Sequence, residues 1–173
     1  MPRMKRPESN EYAPYYGRYV DLVTENEVVA AMEKQAGETA KILGGIDEKR
    51  AAYRYAPDKW SIKEMVGHLA DTERVFSYRA LSFARDDKNA LPGFEQDDWM
   101  KTSYFDRLPF ADLRDNFAAV RRASVLLFRN LPEEAWDRRG TASGNPVSVR
   151  ALPYMMVGHE RHHLRVLREK YGV

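Results

Sequence analysis

Four stretches of the chain carry apolar residues at the spacing of a helix face, and that pattern is satisfied by packing helices on helices. Val29, Met32, Ala36, Thr39 and Leu43 follow one another at intervals of three and four. Met65, Leu69, Thr72, Phe76 and Phe83 line a second stretch, and Phe110, Leu113, Phe117, Val120, Ser124 and Leu127 a third. In the last stretch Leu152, Met155, Met156, Val166 and Leu167 share one arc with His159 and His163. The charged residues Glu160, Arg161, Arg165 and Arg168 fall largely outside that arc, as Asp112, Arg114, Asp115, Arg121 and Arg122 fall off the third stripe.

Local signals place the ends of these helices. Thr24 and Glu27 have the spacing of a capping box, and Val23 and Val28 that of a hydrophobic staple, so the first helix is predicted to begin at Thr24 and to stop at Gly44-Gly45. The same devices, Ser61 with Glu64 and Trp60 with Met65, open a second helix over 62–84. Pro109 opens the third and Leu131-Pro132 ends it, followed by one short turn over 132–136 and a loop over 138–146. Ser148 is the N-cap expected for the last helix, where Pro153 removes an early hydrogen bond and is expected to kink or delay the start. The connection 85–108 is long enough to cross a bundle from end to end, with a short solvated helix around Glu95 to Trp99. Asp97 and Asp98 are neighbours whose side chains diverge, which is a poor arrangement for a shared metal ion. Residues 1–23, with the cluster Tyr12, Tyr15, Tyr16 and Tyr19, show no sustained period and are read as an extended arm whose aromatics cover the single domain 24–173.

Composition narrows the classes of function. The chain has 173 residues, enough for one domain with a full core, and no cysteine, which excludes disulfides, zinc ribbons and a cysteine nucleophile. Its 28 basic and 26 acidic residues leave a net charge of +2 with no basic stripe, so nucleic acid is not an expected partner. Met1 to Arg6 is basic but leads into polar residues, unlike a secretory signal. No apolar run approaches the roughly 18 residues of a membrane span. The expectation is a cytoplasmic protein that does not engage a membrane.

Three of the four histidines fall within Gly158-His159-Glu160-Arg161-His162-His163-Leu164. His159 and His163, at i and i+4, aim two ring nitrogens at one point about 2 Å from each, a geometry suited to a transition metal. His68, at the border of the second helix's inner face, is the natural third ligand. The run also matches H-E-x-x-H, the zinc-protease signature, but that chemistry needs another ligand farther on. No histidine follows His163, and Val166 and Glu169 stand where the longer signature has glycine and histidine, so the match is taken as accidental.

Trp60-Ser61-Ile62-Lys63-Glu64 leading into Gly67-His68-Leu69-Ala70-Asp71-Thr72-Glu73-Arg74, then Gly144-Asn145-Pro146-Val147-Ser148 and the histidine run, resemble the DinB/YfiT-like superfamily over most of the chain. The resemblance implies an all-α four-helix bundle of up-down-down-up topology with a long crossover, and a three-histidine metal site between the second and fourth helices. Carried over by position, its ligands are His68, His159 and His163. The few family members with an assigned activity are thiol-dependent S-transferases and a mycothiol-dependent isomerase, and members often pair, so a homodimer acting on a small molecule is expected.

Three neutral imidazoles leave the charge of a divalent ion, Zn²⁺ or Ni²⁺ by preference, uncompensated and at least one position open, so an anion should bind there. Hydroxide and the thiolate of a low-molecular-weight thiol both qualify. The residues themselves do not choose between the two; with the absence of cysteine, what the resemblance implies makes thiol transfer the preferred reaction, with metal-dependent hydrolysis or a non-catalytic metal- or ligand-binding role as alternatives. Asp71, one turn after His68, is a candidate partner of a ligand, a proton acceptor or a solvated helix residue.

Overall fold

The computed structural model describes residues 5–173, so most of the basic segment Met1 to Arg6 and the first residues of the arm lie outside what is described. The elements in chain order are α1 (Gly17–Val20), α2 (Val28–Gly44), α3 (Glu48–Ala51), α4 (Ile62–Ala84), α5 (Gln96–Ser103), α6 (Phe110–Arg129), strands β1 (Arg139–Ala142) and β2 (Asn145–Ser148), and α7 (Ala151–Tyr171). The long helices α2, α4, α6 and α7 form a four-helix bundle. Both α2 and α4 pack on α6 and on α7, so the first two long helices stand on a diagonal rather than side by side.

The second helix starts and stops where its signals put it. Ser61 accepts a hydrogen bond from the Glu64 N–H at 3.1 Å, and the Glu64 carboxylate accepts from the Ser61 N–H at 2.9 Å. These bonds occupy donors that a helix start leaves free. Met65, Leu69, Thr72, Phe76 and Phe83 are all buried, as the stripe requires. On α6, Phe110, Leu113, Phe117, Val120 and Ser124 are buried. The connection 85–108 carries α5, none of whose residues is buried, and a 3₁₀ turn over Phe105–Arg107.

Several expectations need correction. The first long helix begins at Val28, not Thr24, and no side chain caps it. Residues 24–26 are instead held against α7: Arg161 donates to both carboxylate oxygens of Glu25 at 2.7 and 2.9 Å, and the Tyr154 hydroxyl reaches the carbonyls of Glu25 and Asn26. The arm is not extended. It folds into two 3₁₀ turns, Ser9–Glu11 and Pro14–Tyr16, and then α1, and Tyr12 and Tyr19 are buried on the bundle. Glu11 anchors it, accepting from Ser148 Oγ and Arg150 Nε at 2.7 Å each.

The loop over 138–146 is a β-hairpin, pairing Arg139 with Ser148 and Ala142 with Asn145 in antiparallel register. Ser143 and Gly144, at φ 50° and 73°, make its two-residue turn, and two successive positive φ values match the right-handed twist of the strands. Leu91 joins the free edge of β1: its N–H donates to the Thr141 carbonyl at 2.9 Å, and its carbonyl accepts from the Ser143 N–H. Ser148 accepts from the Ala151 N–H at 3.1 Å, but it is not the N-cap: Arg150 holds that position and offers no side-chain cap. Helix α7 starts at Ala151, two residues later than a cap at Ser148 would put it, and continues through Pro153 without a break, because at the third helical residue the missing N–H is one that has no intrahelical acceptor. No described helix is long and apolar enough to cross a membrane.

Gly158 decides how α1 sits. A Cβ there would overlap the backbone carbonyl of Tyr19, which cannot swing away as a side chain does. Gly158→Ala is therefore expected to push α1 off α7 and to lower the melting temperature by several degrees, with a cost of about 1–3 kcal/mol for overpacking. Thermal unfolding checks this; a melting temperature unchanged by the substitution would show that α1 docks elsewhere in solution.

Candidate metal centre

Helix α7 is buried without interruption from Ala151 to Glu160, so two of its faces meet protein. One face turns His159 and His163 toward His68 of α4. His68 Nε2 and His163 Nε2 lie 3.0 and 3.1 Å from His159 Nε2. Ligand atoms of the three all fall within 4.8 Å of one another. In His68 the border position predicted from the wheel is in fact buried, at 4% exposure.

The donor set fits a cation. A neutral imidazole nitrogen either carries one proton or offers one in-plane lone pair, so His159 Nε2 has no way to satisfy two neighbours at 3 Å together. A tetrahedral ion with nitrogen ligands at about 2.0–2.1 Å would hold pairs of them about 3.3 Å apart, close to what is seen. Burial holds the His68 pKa down at about 4. The same cause, with the neighbouring histidines adding to it, holds His159 and His163 well below the usual histidine range. All three are thus neutral at neutral pH and present lone pairs.

Around this cluster the chain builds walls. The Trp60 ring lies 4.8 Å from that of His68, and Tyr19 meets His159 edge-on at 5.3 Å. Burial and the Tyr15 hydroxyl, 3.3 Å away, raise the Tyr19 pKa, so this phenol stays protonated. His162 also contacts the Tyr19 ring, at 5.6 Å, but it is not part of the three-residue cluster. Two clefts reach the histidines. One, of about 430 Å³, runs from His68 and His159 past Tyr16, Phe76 and the hairpin turn; the other, of about 560 Å³, opens at His163 beside Trp60 and Tyr171. Gln96 and Asp97 of α5 line both. Asp97 and Asp98 form no metal-binding group among the described residues. Asp71 lies within 3.7 Å of Arg74, and Thr72 Oγ1 lies 3.4 Å from His68 Nδ1.

The other face of α7 overturns two sequence expectations. Glu160 and Arg121, both read as lying off the buried stripes, are each 1% exposed. Arg121 of α6 donates through Nε and Nη2 to the two oxygens of Glu73 of α4, both at 2.8 Å, and its Nη1 lies 2.7 Å from Glu160. Thr39 and Gln35 of α2 donate to the remaining positions on Glu160. Every long helix contributes to this knot. Burial tends to raise the Glu160 carboxyl, and Arg121, Thr39 and Gln35 pull against it. Glu160 is therefore committed to the bundle centre, which explains physically why the H-E-x-x-H match carries no general base.

The profile of the DinB superfamily matches residues 31–167. Two curated relatives bear the name "Putative metal-dependent hydrolase": one from Oceanobacillus iheyensis, 22% identical over 80% of each chain, and one from Geobacillus thermodenitrificans, 23% identical over 98% of this chain and 96% of the other. Among solved structures, YfiT from Bacillus subtilis, described as "a probable metal-dependent hydrolase with an unusual four-helix bundle topology", superposes with a TM-score of 0.66 at 16% identity, covering 96% of this chain and 93% of that one. The mycothiol-dependent maleylpyruvate isomerase gives a TM-score of 0.68 at 14% identity over 83% of this chain and 60% of its own. At these identities the structural likenesses speak for the bundle fold.

Proposed function

The chain belongs to the DinB superfamily, and from that premise we propose that it is a metal-dependent enzyme whose divalent ion is held by His68, His159 and His163. The observation that carries this reading is the convergence of three neutral Nε2 atoms on one point, an arrangement that hydrogen bonding among the rings cannot satisfy. The names of the relatives support metal dependence in the same direction.

For the reaction we favour transfer of a small thiol to an electrophile. When bound, the ion would supply the positive charge that favours a thiolate at neutral pH. The chain's own part is then to bind and to orient. It has no cysteine to provide sulfur. Glu160 is engaged by Arg121, and Asp71 lies beside Arg74, so no carboxylate is hydrogen-bonded to the three histidines among the described residues. A thiol, being more acidic than water, has less need of such a base. The two clefts, which share Gln96 and Asp97, would admit thiol and electrophile to the histidines, with Tyr19 and Trp60 packed against the His159 and His68 rings. Metal-dependent hydrolysis is the second reading, favoured by the names of the relatives.

The discriminating assay incubates zinc-loaded protein with cysteine, glutathione or coenzyme A and the electrophile chlorodinitrobenzene, beside the His163→Ala variant. Faster conjugation by the unsubstituted protein with at least one thiol is expected. Rates no higher than the variant's for every thiol, together with zinc-dependent ester cleavage without thiol, would transfer the assignment to a hydrolase.

A further inference from the structure

Arg79 is a buried cation without a buried anion. It is 2% exposed, and no carboxylate lies within ion-pair distance among the described residues. Its Nη2 donates to the Pro92 carbonyl at 3.0 Å and to Ser143 Oγ at 3.1 Å, both neutral acceptors. Nε is buried with no partner, and Nη1 donates to none of the described residues. Tying the 85–95 segment to the hairpin turn accounts for one of the three guanidinium nitrogens. It leaves the charge with no counter-anion among the described residues, offset only by the Phe76 ring and the two neutral acceptors. Among the described residues, every other buried arginine or lysine is paired: Arg121 with Glu73 and Glu160, and Lys63 with Glu48.

The location gives this cation a use. Arg79 stands eleven residues after His68 on α4, three turns along nearly the same face, and its side chain slants back toward the helix N-terminus, the end that carries His68. Its guanidinium carbon lies 5.7 Å from the centre of the Phe76 ring, which lines the His68/His159 cleft. Arg79 itself borders a small cavity of about 20 Å³, and Ala13, Tyr16, Ser143 and Asn145 line both that cavity and the cleft. The cavity has room for about one water or one carboxylate oxygen. Between Arg79 and the histidines the wall is aromatic, formed by Tyr16 and Phe76. At the cleft's solvent side stand the exposed carboxylates Glu95 and Asp97, which disfavour a second negative group on the same ligand.

We propose that Arg79 is the anion-recognising end of this cleft, taking the carboxylate of a small monocarboxylate whose apolar body lies along Tyr16 and Phe76 and whose far end reaches the three histidines. The assignment rests on the metal-site reading for the identity of that far end, but not for the anion contact. The test therefore separates the two.

Hexanoate is titrated calorimetrically into metal-free protein and into zinc-loaded protein, with hexanamide as its neutral counterpart and with inorganic phosphate and succinate as competing anions. Hexanoate is expected to bind the metal-free protein at least ten times more tightly than hexanamide or succinate. In the metal-free protein Arg79→Gln should lose that preference and Arg79→Lys should keep part of it. In the unsubstituted protein, the ¹⁵N–¹H resonance of the Arg79 Nε is expected to move with hexanoate and to stay in place with hexanamide, which settles the matter even if Arg79→Gln fails to fold. Hexanoate binding that needs zinc and survives Arg79→Gln would overturn the proposal and leave the metal reading standing. A phosphate affinity above that of hexanoate would overturn the assignment to a carboxylate.

Discussion

Replacing His163 or His68 with alanine is expected to strip the protein of most of its metal, whereas replacing His162 leaves the content at about one divalent ion per chain, as three protein ligands and one open position imply. The two ligand nitrogens sit 3.0–3.1 Å from His159 Nε2, so loss of either reduces three convergent lone pairs to two. Even hydrogen-bond partners behind a metal ligand are worth about 10–100-fold in affinity, so loss of a ligand itself should exceed that. His162 is the informative control because it lies next to His163, contacts the same Tyr19 ring and is left out of the cluster. Elemental analysis after zinc loading and gel filtration measures the outcome, with circular dichroism to verify that each variant keeps its helices. Normal zinc in both the His68 and His163 variants would remove the metal centre from consideration.

How far such a site could be read before folding depends on whether its residues report on one helix or on several. His159 and His163 are legible because they lie one turn apart on the same helix, where spacing alone fixes relative direction. His68 was found by elimination, and the wheel placed it at a rim because a wheel knows only the helix it is drawn for. Its burial comes from α7 and Trp60 closing over it. The helix ends held by local devices were legible: Ser61 with Glu64 opens α4 where expected. Where long-range contacts compete, local signals misled. Thr24 and Glu27 have the spacing of a cap, but Glu25 is drawn to Arg161 and the helix starts at Val28. The hairpin over 139–148 was missed for a related reason. Its turn, Ser143-Gly144, uses a serine at positive φ, and its strands of four residues are too short to show a period.

The central knot was the least legible feature, and it carries the larger stability prediction. Charged residues beside an apolar stripe are normally solvated, so the sequence alone places Arg121 and Glu160 off the buried faces. They are buried because four helices supply complementary groups at one level: Gln35 and Thr39, Glu73, Arg121 and Glu160. No single helix encodes that match. Arg121→Met should leave the Glu73 and Glu160 carboxylates facing each other without a cation, at a cost of about 3–5 kcal/mol for breaking a buried ion pair from one side. For a chain of this size that corresponds to a fall in melting temperature of about 10 °C. The effect should reach the metal centre. Glu160 and His159 are neighbours on α7, and the knot fixes the rotation of that helix, so zinc affinity should fall along with stability. Replacing Glu73 and Glu160 with Gln in the same Arg121→Met chain removes the stranded charges and should restore a large part of the lost melting temperature. Thermal unfolding and zinc titration of the single and triple variants test the argument. A single variant that melts within about 2 °C of the unsubstituted protein, less than a 1 kcal/mol change would produce, would mean that the knot does not hold the bundle together.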